Sequence, residues 1–247
     1  MALQEEFEKQ GNALFKRRGH LPLIMLVVGI SWYAFLLHTN RTHVHYWWVD
    51  ALFLCVGFVG LGIRILTVGF TPQNTSGRNT ARGQEAERLN TSGMYSMIRH
   101  PLYLGNFFMW LAPILILADL WFTLFFGAVY WIYYERIMFA EEQFLRKKFG
   151  QAYLDWSNET PAFFPRLSRY KSADLTFSLR KVLKKEYYGL FNLVFVITLF
   201  RCVGFAVTMK EFYLDKPWII IFSTSLFISL LIRLLSKNTK ILNTEGR

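Results

Sequence analysis

Apolar residues in this chain come in long runs separated by polar segments, and the runs set the predicted elements. Residues 21–37, 46–70, 190–209 and 217–235 each approach the about 20 residues a helix needs to cross a hydrocarbon core. A fifth run, 102–137, is broken at Asp119 and reads as a hairpin of two further spans. The expectation is an all-α polytopic membrane protein of about six transmembrane helices. Residues 1–20 form a polar lead-in, 21–165 a core of four helices, and 166–247 a basic linker with two more.

Charge orients the spans. The chain is 53% hydrophobic and 18% aromatic with a formal charge of +11, outside the usual range of soluble domains. Lys and Arg alternate along the segments between spans: residues 1–20, 71–100, 139–189 and 233–247 hold 4, 4, 10 and 4, whereas the intervening loops hold 1, 0 and 2. Positive loops stay cytoplasmic, so both termini and the loops around 71–100 and 139–189 are expected on that side. The same distribution argues against nucleic acid as a partner, because the charge sits where anionic head groups lie. The N-terminal MALQEEFEKQGNALFKRRGH is polar and mixed in charge, unlike a cleavable signal, and reads as an amphipathic cytoplasmic lead-in. Cys55 and Cys202 lie inside apolar runs and read as small core residues.

Polar residues concentrate at one level. YSMIRHPLYLGN, residues 95–106, sets Arg99 and His100 before a proline at the mouth of an apolar run. Pro101 keeps His100 out of helical dihedrals and suits a first helical turn, where unpaired N–H groups favour anions. Ahead of it, TPQNTSGRNTARGQEAERLNTSG (71–93) is a loop by its breaker residues, with a short helical patch possible over 84–89; it leads straight into the Arg-His-Pro doorway, as a ligand-binding loop would. The fourth span should continue out of the bilayer through YYERIMFAEEQFLRKKFGQAYLDW. There Glu142 and Arg146 stand at i,i+4 as a surface pair, and Glu141 lacks such a partner. Arg64, Arg201 and Arg233 interrupt apolar runs; each needs an anion, a wet cavity or room to snorkel. The HVH at 43–45 has no further ligand candidates around it and reads as interfacial beside Tyr46, Trp47 and Trp48.

In this order, LNTSGMYSMIRHPLYLGN, ERIMFAEEQFLRKKFGQAYLDW and TPAFFP resemble the membrane methyltransferase superfamily that contains isoprenylcysteine carboxyl methyltransferases and phospholipid N-methyltransferases. The blocks cover about the middle third of the chain. TSGRNT at 75–80, joined to the following blocks, looks like bacterial members that methylate the phosphate of lipid A. The chain departs from the isoprenylcysteine enzymes at Glu87, where they tend to carry a histidine. The resemblance implies S-adenosylmethionine as methyl donor in a cytoplasm-facing pocket, a membrane lipid as substrate, and residence in a bacterial inner membrane. It also implies that Leu89, Gly93, Tyr95, Arg99, His100, Tyr103 and Glu142 lie near the cofactor and that Arg136 and Glu141 stand where donor and head group meet.

The residue types suit that chemistry. No glycine-rich strand-to-helix turn in an alternating pattern is present, so a soluble dinucleotide-type methyltransferase fold is excluded. A sulfonium donor with a carboxylate and an ammonium group needs both signs of charge and aromatic faces. A phosphate acceptor would use guanidinium forks, for which Arg64, Arg78 and Arg82 are candidates beside Arg136. Two other acceptors fit the same fold, a prenylcysteine carboxylate and a phospholipid amine; outside the class stands a sterol-type reductase using NADPH. The charge pattern yields a first test: in a cysteine-free background, Ser168→Cys in spheroplasts should resist an impermeant thiol reagent until the cells are opened. Labelling from outside would reject the orientation.

Overall fold

A computed structural model of the chain describes all residues except 1, 73–74, 76–77, 81–82 and 245–247. Its helices among the described residues are α1 (Leu3–Lys16), α2 (His20–His38), α3 (Trp47–Phe70), α4 (Pro101–Leu115), α5 (Leu120–Phe149), α6 (Gln151–Glu159), α7 (Leu179–Met209) and α8 (Lys216–Asn238). Between α3 and α4 a small antiparallel hairpin pairs β1 (Arg78–Thr80) with β2 (Gly83–Glu85), Arg78 opposite Glu85. Residues 84–85, expected to open a helical patch, are therefore extended; Gly83 and the short polar run disfavour a helix and the neighbouring strand supplies the backbone partners.

Four helices, α2, α3, α7 and α8, are long and apolar enough to cross a membrane. The expected hairpin over 102–137 does form, but its arms differ from full spans. α4 has 15 residues, a rise of about 22 Å against the ~30 Å of a hydrocarbon core. α5 runs for 30 residues and is apolar only in its first half. The turn between them places Ala118 at φ 51°, and Asp119 caps α5 by accepting from the Phe122 N–H at 2.8 Å. Trp32 of α2 donates its indole N–H to the same carboxylate at 3.2 Å, tying the turn to α2. Large apolar side chains on α2, α3, α7 and α8, among them Val27, Leu52, Ile220 and Phe227, are exposed, as lipid-facing surfaces are.

The polar lead-in is a docked helix. Gly11 of α1 lies against the Arg136 carbonyl and the Ala140 methyl, where any side chain would collide. Phe7 packs edge-on against Phe139 at 5.9 Å, and the Tyr133 hydroxyl reaches the Leu14 and Arg17 carbonyls at 3.4 and 3.3 Å. These contacts extend the polar half of α5 with a second helix beside it.

α3 and α4 cross backbone to backbone through Gly60 and Gly105: a Cβ on Gly105 would meet Arg64 Cγ at 2.6 Å and the Gly60 carbonyl at 2.8 Å. Small residues allow such close approach between apolar helices. α7 packs against α2, α3 and α4, and its Leu193, Val194, Ile197 and Phe200 share one core with Leu54, Leu104, Ile114 and Phe122. The two C-terminal helices are thus continuous with the rest of the bundle.

The mid-helix arginine of α7 is a structural ion pair. Arg201, 1% exposed, bonds Asp50 of α3 and Asp215 at the head of α8, with Trp218 and Phe205 rings beside it. His45 Nδ1 lies 3.3 Å from the same Asp50 carboxylate. Arg233, by contrast, is exposed on α8. Removing one member of a buried pair leaves an uncompensated charge, so Asp50→Ala should destabilise the protein by about 3 kcal/mol. Arg233→Ala should change stability by less than about 0.5 kcal/mol. Denaturant unfolding in micelles checks both; equal effects would reject the structural role of the Arg201 cluster.

Candidate active site

The Arg-His-Pro doorway is fixed by backbone hydrogen bonds from the Pro-x-x-Phe-Pro segment. Arg99 N–H donates to the Pro161 carbonyl at 2.9 Å, His100 N–H to Ala162 at 3.1 Å, and Arg166 N–H back to Met97 at 2.9 Å. Two blocks some sixty residues apart thus form one strip of paired backbone. Upstream, Gly93 adopts φ 59°, open to glycine without strain, and its N–H donates to Lys171 at 3.0 Å. Trp156 of α6 donates its indole N–H to the Tyr95 carbonyl at 3.0 Å. The segment ends at Pro101, which opens α4.

This frame aims His100 at the polar half of α5, between adjacent carboxylates. Its Nε2 lies 2.9 Å from Glu142 Oε1 and its Nδ1 3.5 Å from Glu141 Oε2. Tyr103, one turn into α4, donates its hydroxyl to Glu141 at 2.9 Å. Arg99 approaches Glu142 at 2.9 Å and donates to the Ser157 carbonyl at 2.8 Å. Burial opposes charge on His100, but its hydrogen bonds with Glu141 and Glu142 and their charges outweigh it and raise its pKa. Burial likewise opposes charge on Glu142; the His100 bond and charge and then Arg99 prevail and hold its carboxyl below the usual range. Burial, with Glu141 nearby, pushes the Tyr95 phenol up, so it stays neutral.

These groups border a cavity of about 730 Å³ whose wall includes Arg64, Leu89, Tyr95, Arg99, His100, Tyr103 and Glu141. Glu142 stands behind His100 and Arg99; Gly93 shapes the approach without lining the cavity. The expected surface pair of Glu142 with Arg146 is replaced by this tertiary pairing. Arg64 reaches the wall but is engaged on three sides, donating to Glu186 at 2.7 and 2.9 Å and to Asn106 at 2.6 Å. Arg136 is turned away: its guanidinium stacks on Phe7 of α1 at 3.4 Å and pairs with Glu135. The geometry therefore gives Arg136 a place in α1 docking and none in the cavity. Arg82 and the Arg78 side chain lie outside the described residues.

The sequence reading missed several wall residues. Glu186, Asn106, Trp110 and Trp156 all border the cavity, as does Lys181, whose ammonium donates to the Thr71 hydroxyl and the Pro72 carbonyl, both at 3.2 Å. Glu186 carried a signal, since it is the one carboxylate between Asp174 and Glu211 and ends the basic run LRKVLKKE. Asn106 closes the quoted doorway motif.

Comparison with known proteins supports the class that this site defines. Residues 52–152 match the phospholipid methyltransferase family. The nickel-cobalt-cadmium resistance protein NccN of Alcaligenes xylosoxydans xylosoxydans is 30% identical over 160 residues, 64% of this chain and 70% of that protein. The cobalt-zinc-cadmium resistance protein CzcN of Cupriavidus metallidurans is 34% identical over 126 residues, 50% of this chain and 54% of that protein. The protein-S-isoprenylcysteine O-methyltransferase of Tribolium castaneum is 26% identical over 159 residues, 62% and 55% of the two chains. No solved structure matches. The chain belongs to the integral membrane methyltransferase superfamily, enzymes that take their methyl group from S-adenosylmethionine. Membership removes the reductase alternative.

The cavity fits that donor. Its volume lies within the ~300–1,000 Å³ of small-molecule sites. Arg99 borders the cavity, and its guanidinium has five N–H donors, more than its contacts with Glu142 and the Ser157 carbonyl use, which suits a carboxylate. Tyr95, Tyr103, Tyr134 and Trp110 offer ring faces for a cation.

The pKa shifts predict a pH signature. A raised His100 pKa contributes stability that is present below its unfolded value and lost as pH rises through the folded one. His100→Gln should therefore lower the unfolding temperature most below the ordinary histidine value of about 6.5, with the deficit shrinking as pH rises through the raised folded value. A deficit that does not vary with pH would reject the imidazolium clamp.

Proposed function

We propose that this enzyme O-methylates an anionic oxygen of a membrane lipid, and that the acceptor is a phosphate of a lipid head group such as lipid A. One observation carries this reading: a cation-rich polar cavity shares part of its wall with an apolar crevice. That crevice is lined by Leu21 and Met25 of α2 and Phe126 of α5, and shares Pro22, Trp110 and Tyr134 with the cavity. A head group in the cavity would leave its hydrocarbon chain to lie along the apolar side chains beside Pro22, Trp110 and Tyr134. We assign the cavity to the cytoplasmic side of a bacterial inner membrane, with both termini on that side, on the charge distribution.

When bound, S-adenosylmethionine supplies an electrophilic methyl group on a sulfonium. Arg99 would hold its carboxylate, and Glu141 with the tyrosine faces would meet its positive groups. The remaining task is to align the acceptor oxygen and exclude water. Among the described residues both wall carboxylates are already engaged, Glu141 by Tyr103 and His100 and Glu186 by Arg64. Neither is disposed as a general base, which an already ionised oxygen does not need and a lipid ammonium would. An amine acceptor would also bring a cation to a basic wall.

A second reading has specific support: relatives at 26–30% identity are protein-S-isoprenylcysteine O-methyltransferases, so a prenylcysteine carboxylate is the competing acceptor. Incubation with labelled S-adenosylmethionine and membrane lipid, followed by mass spectrometry, separates the two. The phosphate reading expects a methyl phosphate ester that survives mild base. Methanol released by mild base would favour the carboxylate. An N-methyl lipid would reject O-methylation. The rate should not rise between about pH 7 and 9, as it would for an amine acceptor losing its proton.

A further inference from the structure

The segment that pairs with the Arg-His-Pro doorway has a second face, and that face is apolar and uncovered. Phe163 and Phe164 divide between two environments. Phe163 is buried, its ring edge-on to Phe107 of α4 at 6.3 Å and to Trp131 of α5 at 5.4 Å. Phe164 is 75% exposed and stacks on Trp131 at 6.4 Å. Leu167, three residues on, is 73% exposed.

The position of Trp131 sets the depth of this face. α5 starts at the α4–α5 turn, where Leu120 and Trp121 are exposed, as interfacial anchors are. Trp131 lies ten residues beyond Trp121, about 15 Å along the helix, whereas a hydrocarbon core is ~30 Å thick. Leu124, Phe125 and Ile132 are exposed on the same stretch. A ring stacked on Trp131 therefore sits at acyl-chain depth, and Phe164 continues the lipid-facing surface of α5. Proline occupies both 161 and 165 and brings no N–H, so the segment carries fewer donors that lipid could not satisfy. Arg166 and Arg169, both exposed, stand beside the apolar pair, where basic side chains reach toward head groups.

We propose that the lipid leaflet is a binding partner of this segment: Phe164 and Leu167 immerse among acyl chains, and lipid thereby holds the strip that aims Arg99 and His100 at Glu142. The link is the backbone. Pro161 and Ala162 accept from the Arg99 and His100 N–H groups, and Arg166 donates to Met97, so freeing the apolar pair from lipid would loosen the doorway. The bilayer then completes the cofactor site. The proposal rests on S-adenosylmethionine as donor and is independent of which acceptor is methylated.

Immersion is tested with a nitroxide at Phe164→Cys in the full chain, with Cys55 and Cys202 replaced by serine, in phosphatidylcholine nanodiscs. Oxygen, which concentrates among acyl chains, should relax the label more strongly than a water-soluble nickel chelate does. A label at Lys148→Cys, on the polar end of α5, should show the reverse. Relaxation of both labels mainly by the chelate would overturn immersion. Calorimetric titration in the same nanodiscs reads the coupling. Phe164→Gln/Leu167→Gln should bind S-adenosylmethionine about tenfold more weakly than wild type with helix content unchanged, and Phe164→Leu/Leu167→Met should bind within about twofold of it. The single Phe164→Gln carries the same comparison against Phe164→Leu if the double polar variant does not fold. Equal affinity in the polar and apolar variants would overturn the coupling of lipid to the cofactor site.

Discussion

Two adjacent carboxylates facing one imidazole set the constraint on which this site depends. Glu141 and Glu142 sit on a helix emerging from an apolar environment, and neither could be buried there as a lone anion. His100 stands between them, Tyr103 takes a second oxygen of Glu141, and Arg99 closes on Glu142. The distance between α4 and α5 at the cavity is fixed by this pairing, and the pairing depends on the backbone strip that holds Arg99 and His100 against Pro161 and Ala162. Charge pairing supplies the attraction, and the backbone hydrogen bonds supply the direction.

The same rule governs both ends of the α3–α7 contact. Near the cavity Arg64 meets Glu186 bidentately; at the far end Arg201 meets Asp50. Between them Gly57 admits Leu193, where a Cβ would come within 2.5 Å of its side chain. Two ion pairs and a glycine notch therefore set the register of the helices, with little contribution from a general hydrophobic driving force between segments already in lipid. Gly105 joins the scheme because its missing side chain leaves the Arg64 stem a path to Glu186.

Much of this was legible in the chain. The runs of apolar residues predicted the order of the long helices, and the Arg-His-Pro and Glu-Glu blocks do meet at one cavity. What sequence could not supply was rotation and partner. Spacing along α5 offered Arg146 to Glu142, but the carboxylate points toward α4 and finds His100; Arg136 lies on the same helix, yet faces α1. The pairings of Arg64 with Glu186 and of Arg201 with Asp50 join residues more than a hundred positions apart, and only packing of the bundle brings them together. The hairpin over 102–137 forms, and its arms differ from the four long spans because helix length was not legible: α4 stops where Ala118 turns the chain.

The bidentate pair between Arg64 and Glu186 also bears on how the protein comes to exist. Its members are separated by 122 residues, and at synthesis rates of about 5–20 residues per second the guanidinium precedes its carboxylate by roughly 6–24 s. During that interval α3 carries an arginine whose later partner has not been made. Asn106, only 42 residues downstream, arrives first and can hold it as α4 docks across Gly60 and Gly105. The α3–α4 pair then waits as a half-built site until α7 brings Glu186 to Arg64.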